Sequence, residues 1–285
     1  MENKEQIENL IKLSNSIGRN KAYIQGGGGN TSIKISDNLM AVKASGTKLK
    51  DMSFKKGYCI LNYKELNKYL STITKTEVNF SKKVNSFSIL DQGRPSIETG
   101  FHSLLGSCVA HSHSAYLNVL LCSVEGKEIL KKNFPNSIWV NYGTPGIDLT
   151  ILLREKLKEI KNILNKKIIV FLENHGVIVS GPDYKAVLEI HEEINSSLKE
   201  RLSLKPFTKN DISLNNIDKI IFPDQVVFTA NKKLLRSSSG KENLVALNYI
   251  LNEMHRLGLT PKYISNQNVE VLENMESEKY RQSIA

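Results

Sequence analysis

The stretch Cys108-Val109-Ala110-His111-Ser112-His113 constrains the fold of this chain more than any other. Its small and apolar residues read as a buried strand, and a strand places residues two apart on one face, so the imidazoles of His111 and His113 point the same way. A second apolar run, Lys167 to Glu173, ends in Asn174-His175-Gly176. If both runs pair within one sheet, a third imidazole comes alongside the first two. The chain has six histidines, so half of them fall in these two short segments. Three neutral imidazoles with a fourth position left open describe a catalytic zinc or similar divalent site. A His-x-His pair alone is more often two half-exposed histidines, and it is the joint pattern that carries the inference.

A carboxylate belongs to the same pattern. In Arg94-Pro95-Ser96-Ile97-Glu98-Thr99-Gly100-Phe101-His102, Pro95 and Ser96 suit the first turn of a helix, which sets Glu98 near a helix start shortly before the histidine strand. The alternative for Glu98 is a carboxylate that meets backbone donors at the helix start. Nearer the N-terminus, Gly26 to Gly29 are followed by Asn30-Thr31-Ser32. Consecutive glycines let a backbone approach an anion closely and present its N–H groups. The same residues also read as a turn between a first helix and a strand. The run is neither a Walker loop, since no Gly-Lys-Ser/Thr ends it, nor a Gly-x-Gly-x-x-Gly dinucleotide turn.

Taken in order, Gln25-Gly26-Gly27-Gly28-Gly29-Asn30-Thr31-Ser32, Lys43-Ala44-Ser45-Gly46-Thr47, Pro95-Ser96-Ile97-Glu98, His111-Ser112-His113-Ser114 and Asn174-His175-Gly176 resemble the class II aldolase/adducin family of metal-dependent sugar-phosphate enzymes. The likeness spans about residues 20 to 200 and is nearest to fuculose-1-phosphate and rhamnulose-1-phosphate aldolases, including the aldolase part of longer enzymes that also carry a dehydrogenase. No dehydrogenase part is recognised here. The resemblance implies a three-layer α/β/α sandwich with a mainly antiparallel sheet. It also implies a divalent metal, Zn2+ or another, held by His111, His113 and His175, with Glu98 as catalytic proton shuttle. Gly29, Asn30, Ser45, Gly46 and Ser96 correspond to residues that hold the substrate phosphate. The implied reaction cleaves or forms a ketose 1-phosphate through a dihydroxyacetone phosphate enediolate, in a homo-oligomer, a tetramer by resemblance. The chain departs from the simple aldolases at Ile97, where they often have a second serine, and in a lysine-rich insertion, Lys127 to Lys132, where they have a tyrosine that supplies a second acid; Tyr142 follows further on. Epimerases of the family tend to carry aspartate in place of Glu98, which favours aldolase; a dehydratase is a further alternative. A non-catalytic adducin-like interaction module would have no need for so many costly buried polar groups.

Composition sets the outer bounds. A chain of 285 residues with 40% hydrophobic and 24% charged residues is an ordinary globular protein with room for a sizeable core. The formal charge of +10 comes from 32 lysines and only 7 arginines, spread along the chain without a basic cluster. Nucleic-acid surfaces lean on concentrated arginine, so no nucleic-acid partner is expected. With no membrane-length apolar run and no signal-peptide pattern at Met1-Glu2-Asn3-Lys4-Glu5, a cytoplasmic protein with no membrane partner is expected. Cys59, Cys108 and Cys122 lie in apolar segments without metal-ligand spacing and read as reduced and buried.

Helical spacing marks residues 5–17, and strand signals follow at Ile33–Ile35, Leu39–Lys43 and Tyr58–Leu61. A helix is predicted around Tyr63–Leu70, then a polar stretch over 71–87 that reads as a loop or small excursion, a helix from Ala115, a strand near Ser137–Tyr142 and a helix over 148–165. The runs around Asn174-His175-Gly176 read as a hairpin, and Pro182-Asp183 as the start of a helix to about Leu204. These elements place an aldolase-like domain in residues 1–205 and a C-terminal extension or small subdomain in 206–285. In the extension, Pro206 to Asn215 reads as a linker, Lys219 to Phe228 as strand-like pieces and residues 242–257 as a helix. No chemical motif stands out there, so a structural or oligomer-contact role is expected.

Overall fold

The computed structural model describes residues 2–74, 79–89, 93–208, 217–230 and 233–283. Its strands are β1 (Asn30–Lys34), β2 (Leu39–Lys43), β3 (Tyr58–Asn62), β4 (Cys108–Ser112), β5 (Ile138–Val140), β6 (Ile168–Leu172) and β7 (Gly176–Gly181). The helices up to the end of the sheet are α1 (Glu2–Arg19), α2 (Tyr63–Thr72), α3 (Phe80–Asn85), α4 (Thr99–Leu104), α5 (Ala115–Leu121), α6 (Gly126–Asn133) and α7 (Ile147–Leu157). They are followed by α8 (Tyr184–Arg201), α9 (Pro223–Phe228), α10 (Ser238–Leu257), α11 (Asn266–Asn274) and α12 (Glu276–Ser283).

The strands form one seven-stranded sheet in the order β3-β2-β1-β4-β7-β6-β5. Every pairing is antiparallel except β5 with β6. Both faces are buried, and the two-residue period of a strand decides which side chain goes where. On β4 and β7, Cys108, Ala110, Val177 and Val179 join the layer built on α1, α5 and α8. Val109 and Ile178 face the opposite layer with Phe101, Leu149 and Leu153. Next to it on that side, Met40 and Val42 of β2 meet Leu66 and Leu70 of α2 and Phe80 of α3. The result is the expected α/β/α sandwich with a mostly antiparallel sheet.

The histidine strand β4 is central, between β1 and β7. The hairpin β6–β7 turns through Asn174, whose φ is 54°, in the left-handed region that asparagine tolerates. The long helix read from Pro182-Asp183 is α8, with the Asp183 carboxylate accepting from the Ala186 N–H. The three cysteines are buried, and none is joined to another in a disulfide.

Four readings of the sequence are corrected. The polar stretch 71–87 contains α3, whose Phe80 and Val84 are buried. The helix read over 148–165 stops at Leu157 and is followed by a short 3-10 turn, Ile163–Asn165. The helix next to Glu98 begins only at Thr99, with Glu98 in the flanking position. The strand-like Lys219 to Phe228 contains α9 instead. Pro223 occupies the first helical turn, and the Gln225 side chain accepts from the Ile221 N–H while donating to the Ile217 and Lys219 carbonyls. Short apolar runs do not distinguish a buried strand from a buried helix by periodicity alone. Part of the linker read at Pro206 to Asn215, residues 209–215, lies outside the described residues. Helix α10 is present, longer than read, and its Leu244, Leu247 and Ile250 join the core cluster that includes α1 and α5. Among the described residues, no helix is long and apolar enough to cross a membrane.

Gly176 precedes Val177, the partner of Ser112 in the β4–β7 pairing, and a Cβ there would run into the Ser112 carbonyl oxygen, which belongs to a central strand and cannot swing away. Gly176→Ala should cost about 1–3 kcal/mol by overpacking, read as a lower urea midpoint in equilibrium unfolding.

Candidate active site

His111 lies on the Val109 face of β4, its ring edge-on to Phe101 with centroids 5.6 Å apart. Its Nδ1 is 3.0 Å from the Val177 carbonyl oxygen, which can only accept, so Nδ1 carries the proton and the Nε2 lone pair faces inward. His113, one residue past the strand, sets its Nε2 3.0 Å from that of His111. Its Nδ1 is 2.9 Å from Oδ2 of Asp224. His175 enters from the β6–β7 turn, which is pinned by the Asn174 amide donating to the carbonyls of Ile221 (2.9 Å) and Lys262 (2.7 Å). The His175 Nε2 lies 3.3 Å from Oε1 of Glu98, and the His111 Nε2 lies 3.5 Å from Oε2. These four buried residues bring donor atoms to within 4.8 Å of one another.

Such a set fits a metal ion on its own geometry. With each Nδ1 committed to an acceptor, the facing Nε2 atoms of His111 and His113 require a positive centre between them, a cation or a shared proton. Oε1 of Glu98 is buried with no hydrogen-bond partner. Burial pushes the imidazoles down, His111 to about 4 and His175 to about 3, so that both are neutral ligands near pH 7. Burial works the other way on Glu98, but His111, His175, His113 and the Asn30 amide outweigh it and hold the carboxyl low, at about 2.

Glu98 flanks the start of α4, yet its side chain caps no backbone N–H; it turns into the cluster instead. There Oε2 accepts from the Asn30 amide at 2.7 Å. Asn30 is held in turn by His102, whose Nε2 meets the Asn30 Oδ1 while its Nδ1 lies 2.7 Å from the Ser32 hydroxyl. His102, on α4 four residues after Glu98, therefore orients Glu98 through Asn30. His191 is buried, bonded to the Ser112 hydroxyl at 2.7 Å, and His255 is exposed at the end of α10. Neither joins the cluster.

Gly29, Asn30, Ser45, Gly46 and Ser96 all line one cleft with Glu98, His113 and His175. Ile97 lines it as well, where a serine would have added a hydroxyl. Tyr142 does not; it packs beside Ile220 and Val226. The glycine run serves close packing as much as access. Gly26 and Gly29 have φ of 57° and 63°, Gly28 sits against Asp224 and His113, and Gly27 alone has open space where a side chain would stand.

Several cleft residues escaped the sequence reading. Lys43 is buried, donates to the Gly27 carbonyl at 3.0 Å, and is lowered by burial to about 7. Asp224, Glu278 and Arg281 come from the last eighty residues, where no motif was seen. The Arg281 guanidinium lies 2.6 Å from Oδ1 of Asp224 and 2.8 Å from Oε2 of Glu278. Burial opposes ionisation of Asp224, but Arg281 and His113 hold its carboxyl well below the usual range; burial raises Glu278. An acid in the apolar run Ile220 to Phe228 was the available signal, because carboxylates are almost never fully buried unless paired.

Residues 8–202 match the family model described as Class II Aldolase and Adducin N-terminal domain. A Bacillus subtilis (strain 168) protein, the uncharacterized oxidoreductase YuxG, is 27% identical over 215 residues, which are 69% of this chain and 30% of that protein. The chain thus spans about a third of that relative's length. Among solved structures, the N-terminal class II aldolase domain of a conserved protein from Thermoplasma acidophilum superposes with a TM-score of 0.61 at 21% identity, over 70% of this chain and 94% of that one. A sugar-phosphate aldolase from Thermotoga maritima superposes with a TM-score of 0.50 at 18% identity, over 71% of this chain and 97% of that one. These likenesses show the fold, and the match across residues 8–202 shows the lineage: the chain belongs to the class II aldolase and adducin N-terminal domain family.

Proposed function

We propose that this chain is a metal-dependent lyase that cleaves or forms a ketose 1-phosphate through the enediolate of dihydroxyacetone phosphate. The observation that carries this reading is the buried cluster of Glu98, His111, His113 and His175 beside a cleft lined by a glycine run and small hydroxyl residues. In this reading His111, His113 and His175 hold a divalent ion, zinc being the metal most at home among three imidazoles. When bound, such an ion supplies Lewis acidity to the carbonyl and adjacent hydroxyl oxygens of the sugar.

The chain's own residues do the rest. Glu98, with Oε2 fixed by Asn30 and Oε1 uncommitted, is placed to move a proton. In synthesis the ionised carboxylate takes the proton from the carbon next to the carbonyl of dihydroxyacetone phosphate; in cleavage the protonated form returns it to the same carbon. The phosphate is held by Asn30, Ser45, Gly46, Ser96 and the backbone at Gly29. Lys43 adds a cation whose remaining donors are free for an anion, which offsets the hydroxyl missing at Ile97. We assign the working protein to the cytoplasm and to a homo-oligomer, a tetramer as in the family, with the small sugar phosphate as its partner.

Elemental analysis of the purified protein should find close to one zinc or similar ion per chain, and His175→Ala should lose it. Deuterium exchange into dihydroxyacetone phosphate, followed by NMR, should slow by about 10²–10⁴-fold in Glu98→Gln. A wild-type protein that takes up no metal, or exchange untouched by Glu98→Gln, would sink the reading. Lys43→Met should weaken binding of the phosphate by about 10–100-fold, the worth of a hydrogen bond to a charged group, and should raise KM for a phosphorylated ketose more than it lowers kcat.

A further inference from the structure

Asp224 stands outside residues 8–202, the part of the chain matched to the family, yet it meets the candidate metal cluster directly. We propose that Asp224 is the positioning residue for His113: its carboxylate accepts the Nδ1 proton, turns the Nε2 lone pair onto the cluster and tightens the site's hold on a divalent ion. This inference rests on the reading of the cluster as a metal site.

The geometry is specific in four ways. Oδ2 of Asp224 lies 2.9 Å from the His113 Nδ1, and a carboxylate can only accept there, which settles the tautomer. Oδ1 lies 2.6 Å from the Arg281 guanidinium, so the carboxylate is held at both ends and cannot rotate out of register. The backbone behind it is fixed as well, because Pro223 opens α9 and Gln225 satisfies the Ile221 N–H. Finally, Gly28 leaves the pair its room: a Cβ at that position would lie 2.6 Å from Oδ2 of Asp224 and 2.8 Å from Nδ1 of His113.

The three imidazoles are thereby unlike. His111 gives its Nδ1 proton to the neutral Val177 carbonyl, and the His175 Nδ1 is buried with no partner. His113 is bonded to a carboxylate, and it is a carboxylate partner that raises the basicity of a ligating imidazole and fixes its plane. The residues beyond 202 thus contribute to the centre itself, through one side chain on a short helix that a second helix, α12, braces with Arg281.

The test is metal affinity of the full-length protein, measured for Zn2+ by competition with a chelating dye and for Co2+ by its visible absorption, with unfolding of each metal-free variant recorded alongside. Asp224→Asn should weaken binding by about 10–100-fold and change the Co2+ spectrum. Glu278→Gln touches Arg281 but not His113, and should bind metal as the wild type does. Should Asp224→Asn fail to fold, Gly28→Ala, which intrudes on the same pair, should weaken binding instead. Unchanged affinity in Asp224→Asn, or in Gly28→Ala where that variant stands in, overturns the inference while leaving the lyase reading intact. Equal weakening in Asp224→Asn and Glu278→Gln would also overturn it, by showing that only the docking of α12 matters. A wild type that takes up neither metal removes both.

Discussion

Two imidazole nitrogens, the Nε2 atoms of His111 and His113, face each other at 3.0 Å in a pocket from which water is nearly excluded. Lone pairs so placed repel unless a positive centre lies between them, and burial makes the His111 imidazole resist taking up a proton. The arrangement therefore has to be held by whatever grips the far side of each ring. For His111 that grip is the Val177 carbonyl of the neighbouring strand, which makes it a consequence of sheet register. For His113 it is Asp224, more than a hundred residues further along the chain. The site thus needs both the central pairing of β4 with β7 and the folding back of the C-terminal residues.

That return places several charges out of water. Asp224 and Glu278 are each only 2% exposed at the side chain, and Arg281 lies between them. A buried pair recovers its desolvation cost only when its remaining hydrogen bonds are also met, and loss of one partner strands the other. Here Asp224 is met by both Arg281 and His113. Apolar packing anchors the same segment: Leu244, Leu247 and Tyr249 of α10 lie in the core with Leu117 and Tyr116 of α5. The Asn174 amide ties the His175 turn to the carbonyls of Ile221 and Lys262. The β6–β7 turn and the C-terminal residues consequently support each other.

The glycine run shows how one short segment can answer several demands. Gly26 and Gly29 take left-handed backbone angles, Gly28 yields to the His113–Asp224 pair, and Gly27 opens onto the cleft. The expectation that these glycines admit an anion is compatible with Gly27. At Gly28 and Gly29 the close approach is made by the protein's own groups, including the His111 carbonyl.

Much of this protein could be read from sequence because its signals are local. The two-residue alternation around Val109 and His111 predicts a strand with the histidine on a definite face, and the apolar runs flanking Asn174-His175-Gly176 predict the hairpin that delivers the third imidazole. Periodicity failed at Lys219 to Phe228, where a short apolar run suits strand or helix equally and Pro223 together with the Gln225 side chain decided for helix. Nor could it place Glu98, which lies one residue before its helix and turns away from the backbone toward Asn30. For Lys43, Asp224 and Arg281 no local pattern says what the charged side chain meets. Their roles come from what burial does to a charge, and burial belongs to the packed chain rather than to any stretch of it. The sequence by itself determined the strands of the sheet and the face on which the histidines of the central strand lie; only the tertiary structure decided how Glu98 is aimed, which charged residues complete the cleft and which carboxylate stands behind His113, because these depend on groups that come together through space.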